Sequence, residues 1–229
     1  MTRIVNNCVA LVCLCLFWGQ SLRAADASHS EQIKWGNESV FNEEHNTLGL
    51  FSGVLGGQIV LAGGTSDDYS RWGRNAVCLS ENAGFALYED VLSKPLAYGA
   101  SITLSDGILC IGGRDSSQCY EDVFFVTMQQ GKLNVSEDWP PLPFPLSNAA
   151  GALLDNKVYL FGGRKSVSPS RLSDSFFVLD LSNKSRGWKE LPGYPGCVRE
   201  DAILVVQNNG VSPCLYLLGG QTETEEGLS

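Results

Sequence analysis

Arg114 and Arg164 each stand directly after a Gly-Gly pair, in "IGGRDSSQ" and "FGGRKSVS". Arg199 is followed at once by Glu200 in "PGCVREDAIL", where a polar turn passes into an apolar run. A guanidinium is a planar fork suited to binding a carboxylate through two parallel hydrogen bonds. A glutamate beside it can accept or return a proton. Tyr98 in "PLAYGAS" and Asn148 in "PLSNAAG" occupy matching positions before two apolar runs, and add a phenol and an amide. Such a set suits anion binding coupled to proton transfer. Other chemistries find less material. The histidines, His29 and His45, both precede the repeated part of the chain, so that part supplies no imidazole ligands for a copper oxidase site. No Gly-x-Ser-x-Gly elbow or phosphate loop occurs. The plainer reading of Arg114 and Arg164 is that they are salt-bridge residues between structural units.

These residues are spaced by a repeat. Apolar runs end in Gly-Gly at Gly63, Gly112, Gly162 and Gly219, at intervals of 49, 50 and 57. A period near 50 predicts kelch-type propeller blades, and the runs before each pair predict buried strands near 59–62, 108–111, 158–161 and 215–218. "DVFFV" from Asp122 and "DSFFV" from Asp174 predict the next strand of two units, with the aspartates capping a turn. Trp139 and Trp188 follow at matching offsets and are expected to pack between units, since no single unit can bury them. The expectation is an all-β propeller of about four recognisable blades. The first unit is the weakest match, with a possible third strand at 75–79 and no tryptophan in the position next to its proline. The fourth stops early, so the ring is expected to be incomplete; "IKWGNESVF" (33–41) is the candidate strand for completing its last blade.

The segments "PLAYGASITLSDGILCIGG", "DVFF", "PPLPFPLSNAAGALLDNKVYLFGG" and "GWKELPGYPG" resemble the cyclically permuted mutarotase family, kelch proteins of the N-acetylneuraminate epimerase type. The resemblance is best from 92 to 195. It implies a six-bladed propeller and, without a cofactor, interconversion of the α and β anomers of the sialic acid N-acetylneuraminate. The position of Arg199 resembles the family's arginine-containing motif, so Arg199 is expected as the carboxylate anchor and Glu200 as the proton-transfer group; Arg114 and Arg164, on loops at strand ends, and Tyr98 and Asn148, at matching innermost-strand entries, are expected as substrate-binding residues. The sequence departs from the family in the loop after the first Gly-Gly, which here reads "TSDDYSRWGRNAV". The alternative is a catalytically silent kelch module that binds a glycan or a protein.

Bulk properties agree with a globular β protein. The 229 residues include 25 glycines and 44% hydrophobic residues, and the formal net charge of −9 disfavours nucleic acid. Residues 1–27, with Arg3, the apolar "CVALVCLCLFWG" and "SLRAADA", predict a cleaved export signal and a periplasmic or secreted protein, leaving 28–229 as the propeller domain. Five cysteines then remain: Cys78, Cys110, Cys119, Cys197 and Cys214, with no zinc spacing. Cys110 and Cys214 read as core residues; one disulfide is possible in an oxidising compartment. Asn37, Asn134 and Asn183 begin N-x-S sequons. Partners are expected to be a small sugar acid and, through uncovered blades, a second copy of the chain.

Overall fold

A computed structural model describes residues 48–80, 84–224 and 227–228. The predicted signal segment, the candidate strand at 33–41, Asn37 and both histidines lie outside the described residues.

Three antiparallel four-stranded sheets follow one another. The first contains β1 (Phe51–Leu55), β2 (Gln58–Ala62), β3 (Ala76–Ser80) and β4 (Gly84–Tyr88), in chain order. The second contains β5 (Ala100–Thr103), β6 (Ile108–Ile111), β7 (Val123–Gln129) and β8 (Lys132–Ser136), also in chain order. In the third, β9 (Ala150–Leu154) and β10 (Lys157–Phe161) come first, then a small hairpin of β11 (Arg164–Ser166) and β12 (Arg171–Leu172). The sheet is completed by β13 (Phe176–Asp180) and β14 (Lys189–Leu191), joined by a 3-10 turn over Leu181–Arg186. A long two-stranded hairpin, β15 (Glu200–Asn208) and β16 (Pro213–Gln221), forms the fourth unit. The weak first repeat therefore builds a full sheet, with its third strand where sequence placed it.

Local sequence sets the hairpins. Gly56 and Gly57, Gln130 and Gly131, and Asp155 and Asn156 all have positive φ, as the tight turns that match strand twist require. The Gly-Gly pairs do something else. A Cβ on Gly63 would meet the Leu96 carbonyl at 2.2 Å, on Gly112 the Leu146 carbonyl at 2.2 Å, and on Gly162 the Arg199 carbonyl at 2.4 Å. The next residue's N–H donates to that same carbonyl: Gly64 to Leu96 at 2.8 Å, Gly113 to Leu146 at 2.8 Å, and Gly163 to Arg199 at 3.0 Å. Each pair thus seats the backbone of the following unit, and only glycine permits both the left-handed turn and the approach.

Apolar side chains fill the spaces between units. Phe51, Val60 and Cys78 of the first sheet meet Ile108, Cys110 and Phe124 of the second. Ile102, Leu109, Ile111 and Phe125 meet Leu146, Val158, Leu160 and Phe177 of the third, with Trp139 and Trp188 packed against this cluster. Trp139 lies 5.2 Å from the Phe125 ring, and Trp188 donates from its indole N–H to the Pro140 carbonyl at 3.0 Å. Lys184 of the third unit also lies over the Trp139 ring at 4.0 Å, so both tryptophans join neighbouring units, as their repeat offsets predict. Ala150, Ala152 and Phe161 then meet Leu204 of the fourth unit. The first strands β1, β5, β9 and β15 lie side by side in that order, making the hub of the assembly. On the outer face of the fourth unit, Ile203, Val205, Tyr216 and Leu218 are exposed. By strand register these are the counterparts of Ala100, Ile102, Leu109 and Ile111, which the next unit buries. Gly219 keeps the left-handed turn, yet a Cβ there would face open space.

Cys78, Cys110, Cys119, Cys197 and Cys214 are all free thiols. Cys110 is core, as its apolar run predicts, whereas Cys214 is only partly covered. Among the described residues, no helix is long and apolar enough to cross a membrane.

Candidate functional site

Near the start of each hub strand one residue is held in the left-handed region: Gly49 (φ 65°), Tyr98 (φ 61°), Asn148 (φ 56°) and Asp201 (φ 53°). Their backbones are tied in series. Tyr98 N–H donates to the Gly49 carbonyl at 2.7 Å, Asn148 N–H to Tyr98 at 2.6 Å, and Asp201 N–H to Asn148 at 3.0 Å. A non-glycine residue in this region is strained by about 1–2 kcal/mol. Three consecutive units accept that strain at one place, and so present a phenol, an amide and a carboxylate around one mouth.

The residues after Gly-Gly face the same mouth. Arg114 bridges Ala97, and Arg164 bridges Ser147, each at the start of a hub strand. Arg164 donates from Nε to Glu200 Oε2 at 2.8 Å and from Nη2 to Oε1, a bidentate pair spanning two units. Glu200 is 2% exposed and the Arg164 side chain 17%. Hydrogen bonding to Glu200 raises the already high pKa of Arg164 and outweighs its desolvation. Cys119 packs beside this pair with its Sγ 3.4 Å from Ser147 Oγ, and burial pushes its thiol up.

Arg114 has different company. Its guanidinium lies 4.6 Å from the Tyr98 ring centre and 5.1 Å from that of Trp72. Its Nη1 reaches only the Asp115 carbonyl, at 3.4 Å, and its buried Nε has no hydrogen-bond partner. Among the described residues no carboxylate lies within ion-pair distance of it. Two aromatic faces stabilise the cation without neutralising it. Asn148 donates from its amide to Asp201 Oδ1 at 2.8 Å, while its own Oδ1 is buried without a partner. Desolvation raises the Asp201 carboxyl and the Asn148 amide pulls it back, with a net rise. Asp201 as a whole residue remains exposed, so this is a carboxylate at the surface of the mouth with one side sunk in it. Burial, then the Tyr69 hydroxyl, holds the Tyr98 phenol protonated above its ordinary range.

Of the residues singled out in the sequence, the mouth brings together Arg114, Arg164, Glu200, Tyr98 and Asn148. Arg199 turns elsewhere. Its carbonyl accepts the Gly163 N–H, its Nη1 donates to the Gly219 carbonyl, and its guanidinium lies 5.9 Å from the Tyr194 ring centre. Its counterparts in the two preceding units are Leu96 and Leu146, both buried. Asp122, expected to cap a turn, pairs with Lys94 at 3.1 Å. Sequence reasoning missed Asp201, Tyr69 and Trp72. Aligning the repeats through Tyr98 and Asn148 points to Asp201.

The comparisons agree with this architecture. Residues 145–192 match the kelch motif, and the solved structure of YjhT superposes with a TM-score of 0.62 at 12% identity, covering 79% of this chain and 63% of that one. The chain is a kelch-type β-propeller. The propeller's sequence is 31% identical over 106 residues to the N-acetylneuraminate epimerase of Vibrio cholerae serotype O1, covering 46% of this chain and 25% of that protein. The Yersinia pestis (strain Pestoides F) N-acetylneuraminate epimerase is 32% identical over 89 residues, covering 39% and 20% respectively. The Haemophilus influenzae (strain PittEE) protein of that name is 30% identical over 92 residues. The matched part of the propeller thus spans a quarter or less of the relatives' length.

Proposed function

We propose that the mouth binds a sugar acid and interconverts its anomers, with N-acetylneuraminate as substrate. One observation carries this reading: Arg114, a cation against two aromatic rings with no carboxylate among the described residues within ion-pair distance, stands near an accessible carboxyl, Asp201, whose proton affinity is raised. The likeness to N-acetylneuraminate epimerases supports the choice of sugar.

Anomer exchange opens a cyclic hemiketal and closes it on the other face. A base takes the anomeric hydroxyl proton, the bond from that carbon to the ring oxygen breaks, and the ring oxygen gains a proton. Rotation about the exposed carbonyl and the reverse proton movements give the other anomer. No electrons leave or enter, so the reaction needs no redox cofactor.

Geometry favours Arg114 over Arg199 as the carboxylate anchor, because only Arg114 has a guanidinium free of strong partners. It favours Asp201 for direct proton transfer. Glu200, the residue expected in that role, is buried with both oxygens turned to Arg164. Its part here is to hold Arg164 beside the mouth; its own charge adds to the rise of the Asp201 carboxyl, which Arg164 and Arg114 lower. Tyr98 and Asn148 frame the bound sugar. Export to the periplasm or beyond belongs to the same proposal and rests on the N-terminal sequence.

A second reading is a binding module without turnover, and the full engagement of Glu200 with Arg164 favours it. Proton NMR of freshly dissolved α-anomer separates the two. Faster decay with protein than in buffer supports the mutarotase; binding without faster decay leaves the module.

A further inference from the structure

The loop after the first Gly-Gly, 65–73, builds a rigid aromatic flank to the mouth. Asp68 Oδ1 accepts Ser66 Oγ at 2.6 Å, Ser70 N–H at 3.0 Å and Ser70 Oγ at 2.7 Å. Thr65 Oγ1 donates to the Arg71 carbonyl at 2.7 Å, and Ser66 Oγ accepts the Arg71 N–H at 3.0 Å. Within this frame Tyr69 sits at φ 59°, a conformation unfavourable for an aromatic residue, and remains half exposed. Its carbonyl accepts the Trp72 indole N–H at 3.1 Å. Its ring stacks on Tyr98 at 6.5 Å, and the Trp72 ring lies 6.3 Å from that of Tyr98, tilted by 60°. Backbone strain on an exposed aromatic, held by hydrogen bonds from its own loop, is more than packing requires.

We propose that Tyr69, Trp72 and Tyr98 form a specificity wall that receives the apolar face of an anionic carbohydrate whose carboxylate is held by Arg114. The orphaned Arg114 Nε and Asn148 Oδ1 lie at its base as an unmet donor and an unmet acceptor. A sugar acid offers each of these its complement: a carboxylate oxygen for the guanidinium, a hydroxyl or amide N–H for the Asn148 oxygen, and C–H faces for the rings. A neutral sugar leaves the guanidinium unanswered, and a small anion such as acetate leaves the wall empty. The inference rests on the sugar-acid reading above, but concerns binding rather than turnover.

The test uses the full chain with N-acetylneuraminate, its neutral relative N-acetylmannosamine, and acetate. Titration is followed by saturation-transfer NMR and calorimetry. Tyr69→Asn removes the ring while keeping a residue tolerant of positive φ; Trp72→Ala removes the second ring. Wild type is expected to bind N-acetylneuraminate more tightly than either control, with ring and acyl protons saturated. Each variant is expected to lose roughly three- to tenfold in affinity, with Tyr69→Asn melting no lower than wild type. A merely structural Tyr69 would instead lower the melting temperature and leave affinity unchanged, which overturns the wall. Absence of N-acetylneuraminate binding to wild type overturns it as well. Wall-dependent binding without faster anomer exchange supports the wall and removes the mutarotase reading alone.

Discussion

Arg164 grips Glu200 through two nitrogens and two oxygens across a gap of 36 residues in sequence, from the third unit to the fourth. The pair joins two blades and forms the floor beside the candidate site. Removing one partner strands the other's charge away from water. Arg164→Ala is therefore expected to destabilise the fold by about 3–5 kcal/mol, read from denaturant unfolding. The double variant Arg164→Met with Glu200→Met should recover much of that loss, because an apolar pair needs no counter-charge. Equal losses for the single and double variants would show that the ion pair itself holds the blades together.

The Gly-Gly corners offer a matched comparison. Gly112 and Gly219 share nearly the same backbone, φ 62° in both, but a Cβ on Gly112 collides with the Leu146 carbonyl and one on Gly219 meets nothing. Gly219→Ala should cost only the left-handed penalty, about 1–2 kcal/mol. Gly112→Ala should cost that plus the steric displacement of the third unit, a further 1–3 kcal/mol or so. Thermal unfolding of both variants checks this, and equal losses would contradict the inter-unit role assigned to Gly112.

The pH dependence follows from Asp201. Desolvation raises its carboxyl, so the folded state holds this proton more tightly than the unfolded chain does. Its contribution to stability is most favourable at low pH and declines as pH rises through the ordinary carboxylate range to the raised folded value. Turnover that uses the carboxylate as base should fall as pH drops through that raised value. The Asn148 amide works against the rise, so Asn148→Ala should push the carboxyl higher and move the acid limb of the pH–rate profile to higher pH. An acid limb that stays put would remove Asp201 from proton transfer.

Much of this fold was legible because it repeats. The runs before Gly63, Gly112, Gly162 and Gly219 lie in β2, β6, β10 and β16 as their period predicts. Glycine pairs mark the corners since no other residue tolerates a neighbour's carbonyl at 2.2 Å. The site was only half legible. Arg199 and Glu200 are adjacent in sequence, yet successive residues entering a strand point opposite ways, and Glu200 pairs with Arg164 instead. Which arginine faces a glutamate depends on how one blade lies on the next, a relationship that local sequence does not encode. Tyr69 escaped notice because a lone tyrosine in a polar loop carries no sign of positive φ.

The outer face of the fourth unit gives a prediction on association. Ile203, Val205, Tyr216 and Leu218, the last 52% exposed, repeat a pattern that every preceding unit buries. We propose that another apolar surface covers them, which for this chain by itself is a second copy. Sedimentation velocity should reveal concentration-dependent self-association that Leu218→Asp weakens. Unchanged monomeric behaviour of the wild type at high concentration would contradict it.

If Arg114 and Asp201 make this mouth an anomer-exchanging sugar-acid site, exchange NMR on N-acetylneuraminate at equilibrium will show it. The rate of magnetisation transfer between α and β signals is measured with wild type, Arg114→Gln and Asp201→Asn. Exchange well above the buffer rate is expected for wild type. Arg114→Gln should need much more sugar to reach that rate, through loss of a charge-assisted contact of roughly 1.5–3 kcal/mol. Asp201→Asn should bind normally and exchange slowly. Wild-type exchange no faster than buffer, or both variants matching an active wild type, would contradict it.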